Sequence, residues 1–154
     1  MIPALFQKHL PDEAATAILA ARMAPLLAMG DTLLLEGDIG AGKSAFARAL
    51  IRARLGRMED VPSPTFTIVQ TYEANDGDIW HCDLYRLTHP DEAFELGLEE
   101  AFETAICLIE WPDRLGDAAP ASALRLAFVA HDSGHEVTIS GPDPWGDRLR
   151  VLDD

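Results

Sequence analysis

Lysine is nearly missing from this chain: among 154 residues only Lys8 and Lys43 carry it. With arginine, the basic residues number 12 against 26 Asp and Glu, a formal net charge of −14. Proteins that grasp nucleic acid draw most of their affinity from Lys and Arg neutralising phosphates. So acidic a surface argues against the chain holding RNA or DNA alone. Long apolar runs are lacking too, and none approaches the ~20 residues needed to cross a bilayer. Residues 1–8 contain no basic region followed by an apolar core, so no secretory signal is expected. Cysteine is limited to Cys82 and Cys107. Both sit in strand-like apolar segments and read as buried thiols rather than a disulfide or metal pair. Repeats and low-complexity stretches are absent. What remains is ordinary globular composition, 48% hydrophobic and 25% charged, with room for one compact core. The expectation is a single cytoplasmic domain over residues 1–141, with 142–154 as a loosely attached tail lacking a core pattern.

Periodicity predicts a helix over residues 11–28. Pro11 suits a first helical position, Asp12 and Glu13 favour the positive end of its dipole, and Ala15, Ile18, Leu19, Met23 and Leu27 share a face. Pro25 is expected to kink or end it. Thr32–Glu36 is almost continuously apolar, as in strands of a parallel sheet buried on both faces. Residues 43–55 form a second helix stopped by Gly56. Beyond the proline-punctuated loop at 61–64, strands are predicted at 65–72 and 78–84, joined by a hairpin turn at Asn75-Asp76-Gly77. Residues 91–102 read as one or two short helices broken at Gly97. Further strands are predicted at 106–111, 124–130 and 136–140. The pattern implies an α/β three-layer fold of the P-loop NTPase type, its central sheet mostly parallel with added antiparallel strands.

The sharpest signal is Gly37-Asp38-Ile39-Gly40-Ala41-Gly42-Lys43-Ser44, which fits G-x-x-x-x-G-K-[ST] at every fixed position. Glycines let successive backbone N–H groups converge on phosphate oxygens. Lys43 can reach the terminal phosphates, and the Ser44 hydroxyl can ligate Mg²⁺. A buried strand precedes the loop, and the helix after it aims its positive end at the same anion. The ligand expected is ATP with Mg²⁺.

Such a site needs a second acidic group to hold or orient the metal and its water, usually at the end of a buried strand. Glu110 closes Ile106-Cys107-Leu108-Ile109 and fits that position. Asp83, at the end of His81-Cys82-Asp83, is a rival or companion, or simply a strand-end cap. Thr65, following Pro64, offers a hydroxyl from the proline-rich loop, although such loops are often mere connectors. His81 reads more readily as a packed histidine than as a base. Arg86 and Arg114 are basic groups within reach of phosphate in principle, and Trp111 and Trp145 either pack or meet a partner. Adenine contacts are not fixed, with residues 11–16 the candidate segment.

In order along the chain stand Leu35-Glu36-Gly37 leading into the glycine-rich motif, Ser63-Pro64-Thr65-Phe66-Thr67, His81-Cys82-Asp83-Leu84-Tyr85-Arg86-Leu87, Glu95-Leu96-Gly97 and Ile109-Glu110-Trp111-Pro112. Together they cover about residues 34–114. In this order they resemble the bacterial tRNA threonylcarbamoyladenosine biosynthesis ATPase family, the TsaE- or YjeE-like proteins. The resemblance implies a small P-loop ATPase, weak in isolation. It implies partnership with the protein pair (TsaB/TsaD-like) that transfers threonylcarbamoyl to a tRNA adenosine, so that tRNA is met only through the complex. It also implies Lys43 on the phosphates, Ser44 and Glu110 on Mg²⁺, and Asp83 and Thr65 in hydrolysis or nucleotide-state sensing. The family often has Thr where Ser44 stands and Phe where Cys82 stands; the first keeps the hydroxyl and the second concerns packing.

Three other classes fit parts of the pattern. A small-molecule P-loop kinase matches the length, but no arginine-rich lid segment is present. A GTPase of the Asn-Lys-x-Asp kind is not supported, since that string does not occur. A module that holds ATP without cleaving it leaves Glu110 without a task.

Overall fold

The computed structural model describes residues 4–38, 41–57, 59–64 and 67–152. Seven strands form one sheet: β1 (Ala4–Leu10), β2 (Thr32–Glu36), β3 (Val69–Ala74), β4 (Gly77–Asp83), β5 (Ile106–Glu110), β6 (Leu124–His131) and β7 (Gly134–Ser140). Their spatial order is β1-β7-β6-β2-β5-β4-β3. The middle four, β6, β2, β5 and β4, run parallel, while β3, β7 and β1 join antiparallel at the two sides.

Helices cover both faces, and the strands show why. In β2, Leu33 and Leu35 join one buried cluster and Leu34 the other; in β5, Ile106 and Leu108 face opposite to Cys107 and Ile109. Side chains of successive strand residues point to opposite faces, so a strand apolar throughout needs cover on both. On the first face lie α1 (Glu13–Met23) and α2 (Lys43–Leu55), packed on each other and on the sheet. Helix α2 buries Lys43, Phe46, Ala47, Leu50 and Ile51, a stripe at helical spacing. On the second face lie α3 (Asp91–Glu95) and α4 (Leu98–Thr104), separated at Gly97 with φ +86°. The chain is thus the three-layer α/β fold that the periodicity predicts.

Four details depart from expectation. Helix α1 starts two residues late: Asp12 is its cap, with Oδ1 accepting from the Ala15 N–H at 2.9 Å, so Pro11 lies outside. Its far end tightens into a 3-10 turn over Ala24–Leu26 around Pro25. The strand predicted at 65–72 begins only at Val69, because Ile68 has φ +70°, which strand geometry excludes. β1 was not predicted; Phe6 to Leu10 pair with β7, but only Leu10 is buried and the rest are exposed or half-buried, which blunts the alternation.

The carboxyl-terminal segment is the fourth. It was expected to be loosely attached, yet Trp145, Leu149 and Leu152 are buried in the first cluster. Trp145 opens α5 (Trp145–Arg148), and its Nε1–H donates to the Ser122 carbonyl at 2.7 Å. Arg148 stacks on the Trp145 ring at 4.1 Å and pairs with Asp31, just before β2. Among the described residues no helix is long and apolar enough to cross a membrane.

Candidate active site

The carboxyl ends of β2, β4 and β5 open on one cleft of about 520 Å³, lined among others by Lys43, Ser44, Asp83, Glu110, Trp111 and His135. In open α/β sheets ligands bind at this end of the strands. β2 delivers the chain into the glycine-rich loop, and α2 carries it away. Gly37 has φ +139°, and a Cβ there would stand 2.5 Å from the Phe128 carbonyl oxygen. Only glycine lets the loop pass so close to β6. Gly42 caps α2 with φ +106°, leaving the first N–H groups of the helix, which have no partner within it, at the mouth of the cleft.

Lys43 is 5% exposed. Its ammonium donates to the Gly37 carbonyl and lies 3.8 Å from the centre of the Trp111 ring. Burial lowers its pKa; the nearby carboxylates of Glu110, Asp83, Asp38 and Asp113 act in the opposite sense. A partly desolvated cation held by one carbonyl and a ring face is poised for a stronger anionic partner.

Ser44 and Glu110 meet directly. The Ser44 hydroxyl lies 3.0 and 3.2 Å from the two carboxylate oxygens. Glu110 is 2% exposed, and the fully buried His81 holds its Oε2 through Nε2 at 2.7 Å. Asp83 sits opposite Glu110 in the β4–β5 register, and its Oδ1 accepts from the Tyr85 N–H at 3.0 Å.

Backbone bonds tie the rim together. The Ile68 N–H donates to the Pro64 carbonyl at 2.7 Å, and the Asp83 N–H to the Ile68 carbonyl at 2.8 Å. The Leu84 N–H in turn donates to the Glu110 carbonyl at 3.1 Å. Above them Tyr85 and Trp111 pack their rings 4.8 Å apart, with the Arg114 guanidinium 5.6 Å from the Tyr85 ring.

Of the residues singled out in the sequence, Gly42, Lys43, Ser44, Asp83 and Glu110 converge here, with Gly37, Asp38 and Ala41 on the approach. Ile39, Gly40 and Thr65 lie outside the described residues. Glu13 and Thr16 of α1 also line the cleft, within the segment considered for adenine contacts. Arg48 and His135 line it too and were not foreseen. Arg48 follows Lys43 by five residues, a position that periodicity does not single out. His135 arrives from β7, and only the sheet order brings it near. The tie between His81 and Glu110 was likewise missed, since it depends on the pairing of β4 with β5.

A magnesium ion fits this donor set. Among the described residues no cluster of three or more His, Cys, Asp or Glu side chains is placed to hold a metal alone. Mg²⁺ typically takes one or two protein oxygens and completes its shell with water and substrate phosphates. The adjacent oxygens of Ser44 and Glu110 supply such a partial shell.

Comparison with known proteins bears on the fold and the family. The solved structure of Bacillus subtilis YdiB superposes with a TM-score of 0.75 at 28% sequence identity, over 99% of this chain and 96% of that one. Among curated relatives, the tRNA threonylcarbamoyladenosine biosynthesis protein TsaE of Bacillus subtilis is 38% identical over 146 residues, 92% of this chain and 86% of that protein. The protein of the same name from Haemophilus influenzae is 30% identical over 148 residues, 92% and 93% of the two chains. The one from Rickettsia conorii is 45% identical over 104 residues, 68% of this chain, and the match spans only 59% of that relative's length. The family model described as threonylcarbamoyl adenosine biosynthesis protein TsaE matches residues 10–137, and the chain belongs to the TsaE family.

Proposed function

We propose that this protein binds and hydrolyses ATP with Mg²⁺, driving or resetting a threonylcarbamoyl transferase pair of the TsaB/TsaD kind between rounds of tRNA modification. The observation that carries the reading is the contact of Ser44 with Glu110, 3.0 Å apart beside the buried Lys43 ammonium. Cation, hydroxyl and carboxylate are gathered at the mouth of a helix, the set of groups a nucleoside triphosphate and its metal require.

Each group then has a task. Lys43 exchanges the Gly37 carbonyl and the Trp111 ring for phosphate oxygens. The glycine-rich loop and the start of α2 turn backbone N–H groups toward the same oxygens. Ser44 and Glu110 would hold the metal, Glu110 directly or through water. An Mg²⁺ ion held there would supply charge neutralisation at the phosphates. Glu110 and Asp83 are the two carboxylates able to orient the attacking water. Thr65, next to Pro64, is the candidate sensor of the terminal phosphate. Catalysis of this kind rests on positioning and charge stabilisation, and tRNA is met only through the complex.

The decisive measurement is ATP turnover by wild type and Glu110→Ala, alone and with the transferase pair plus tRNA. The expected result is slow turnover alone, a rise with the partners, and a loss of about a hundredfold or more in the variant. Turnover indifferent to the partners, but triggered by a small metabolite, would identify a kinase instead.

A further inference from the structure

His81 is a buried polar group to which this mechanism gives no task. An imidazole withdrawn from water needs new partners, because burial without them costs free energy. His81 regains only one: Nε2 meets Glu110, while Nδ1 has no hydrogen-bond partner among the described residues. An apolar side chain of similar size would fill the same space without that cost. Packing alone therefore does not account for histidine here, and its single contact does.

A carboxylate offers only acceptors. The 2.7 Å contact accordingly places a ring proton on Nε2. Glu110 is then gripped from two elements, by His81 of β4 and by the Ser44 hydroxyl at the start of α2. Its carboxylate is buried at the end of β5, and with both donors in place its plane is fixed. With Ser44 as its sole partner, the side chain is free to turn about that one bond.

We propose that His81 is a positioning residue: its Nε2–H holds Oε2 of Glu110 so that Oε1, the oxygen His81 leaves free beside Ser44, stays turned toward the metal of a bound nucleotide. This rests on the nucleotide–metal reading above. Outer partners that hold a ligating carboxylate typically account for about 10- to 100-fold in metal affinity.

The test uses the full chain carrying His81→Leu, His81→Gln and Glu110→Gln, singly, and His81→Leu combined with Glu110→Gln. Glutamine can offer an amide N–H near the place of Nε2; leucine fills the space and offers none. Two quantities are measured: ADP binding without metal, and Mn²⁺ binding at saturating ADP from the electron paramagnetic resonance of free Mn²⁺. Metal-free ADP binding is expected to be the same in His81→Leu, His81→Gln and wild type. Mn²⁺ binding is expected to weaken about tenfold or more in His81→Leu and to be largely restored in His81→Gln. In the Glu110→Gln background the leucine substitution should cost nothing further, as a shared pathway requires. Equal Mn²⁺ affinity in wild type and a folded His81→Leu protein, or a glutamine variant no better than leucine, would overturn the proposal. A wild type that binds no ADP would instead sink the nucleotide reading itself. If His81→Leu does not fold, the ¹⁵N spectrum of the wild-type ring decides. An Nε2–H tautomer whose signal moves when Mg²⁺ and ADP bind supports the role, and an Nδ1–H tautomer excludes it.

Discussion

The Cys107 thiol is pushed up from 9.0 to about 12 by burial, and burial raises that of Cys82 well above its usual value. Both are free and buried, as the apolar stretches around them predict. The linkage has a definite sign. Below pH 9 both thiols keep their protons whether the chain is folded or not, and stability does not depend on them. Above it the unfolded chain releases protons that the folded chain retains, so stability falls as pH rises, until about 12 for Cys107. Each thiol contributes a slope of about 1.4 kcal/mol per pH unit in that window. Urea titrations at a series of pH values should show the decline, and Cys82→Ala with Cys107→Ala should flatten it. Single residues were legible here where chemistry is set by local spacing. Lys43 and Ser44 follow from the glycine pattern alone. The grip of His81 on Glu110 was not, because His81 lies opposite Leu108 and no rule within one segment says which strands pair.

Among elements, the β2–loop–α2 unit was the most legible. Its strand and helix boundaries follow directly from a short apolar run, a glycine-rich interruption and Gly56 as terminator, where φ is +71°. The same unit is the least tolerant of change at its hinge. Gly37→Ala would put a methyl 2.5 Å from the Phe128 carbonyl, on a backbone that L side chains rarely adopt. The expected cost is about 1–3 kcal/mol, taken mostly by displacement of the loop. Thermal unfolding should therefore show a folded but less stable protein, and calorimetric titration should show lost ATP binding. β1 and the start of β3 were less legible for separate reasons. β1 contributes few fully buried side chains, and β3 is delayed by the left-handed conformation of Ile68.

At the scale of the molecule, the three-layer arrangement was readable because two strands, β2 and β5, are almost continuously apolar and two helices carry apolar stripes. The strand order was not, since pairing across the sheet is a tertiary choice. The tail carried a signal that went unread: Trp145, Leu149 and Leu152 are spaced by four and three residues, the interval that puts side chains on one helical face. Its short, proline-interrupted context hid the pattern. Trp145 is buried within the first cluster and stacks with Arg148, which pairs with Asp31, so the segment closes the core. Trp145→Ala should cost about 3–5 kcal/mol of global stability, which denaturant unfolding would register. Loss of only a few tenths would mean a segment that detaches easily.

The backbone bonds around the cleft carry one more consequence. From Pro64 through Ile68 to Asp83, and from Leu84 to Glu110, the rim is a linkage whose joints are single peptide hydrogen bonds. Asp83 and Leu84 are neighbours, so no flexible joint separates its two halves. The Pro64 carbonyl is thus joined to the peptide of Glu110 through backbone alone, by three hydrogen bonds and the Asp83–Leu84 peptide between them.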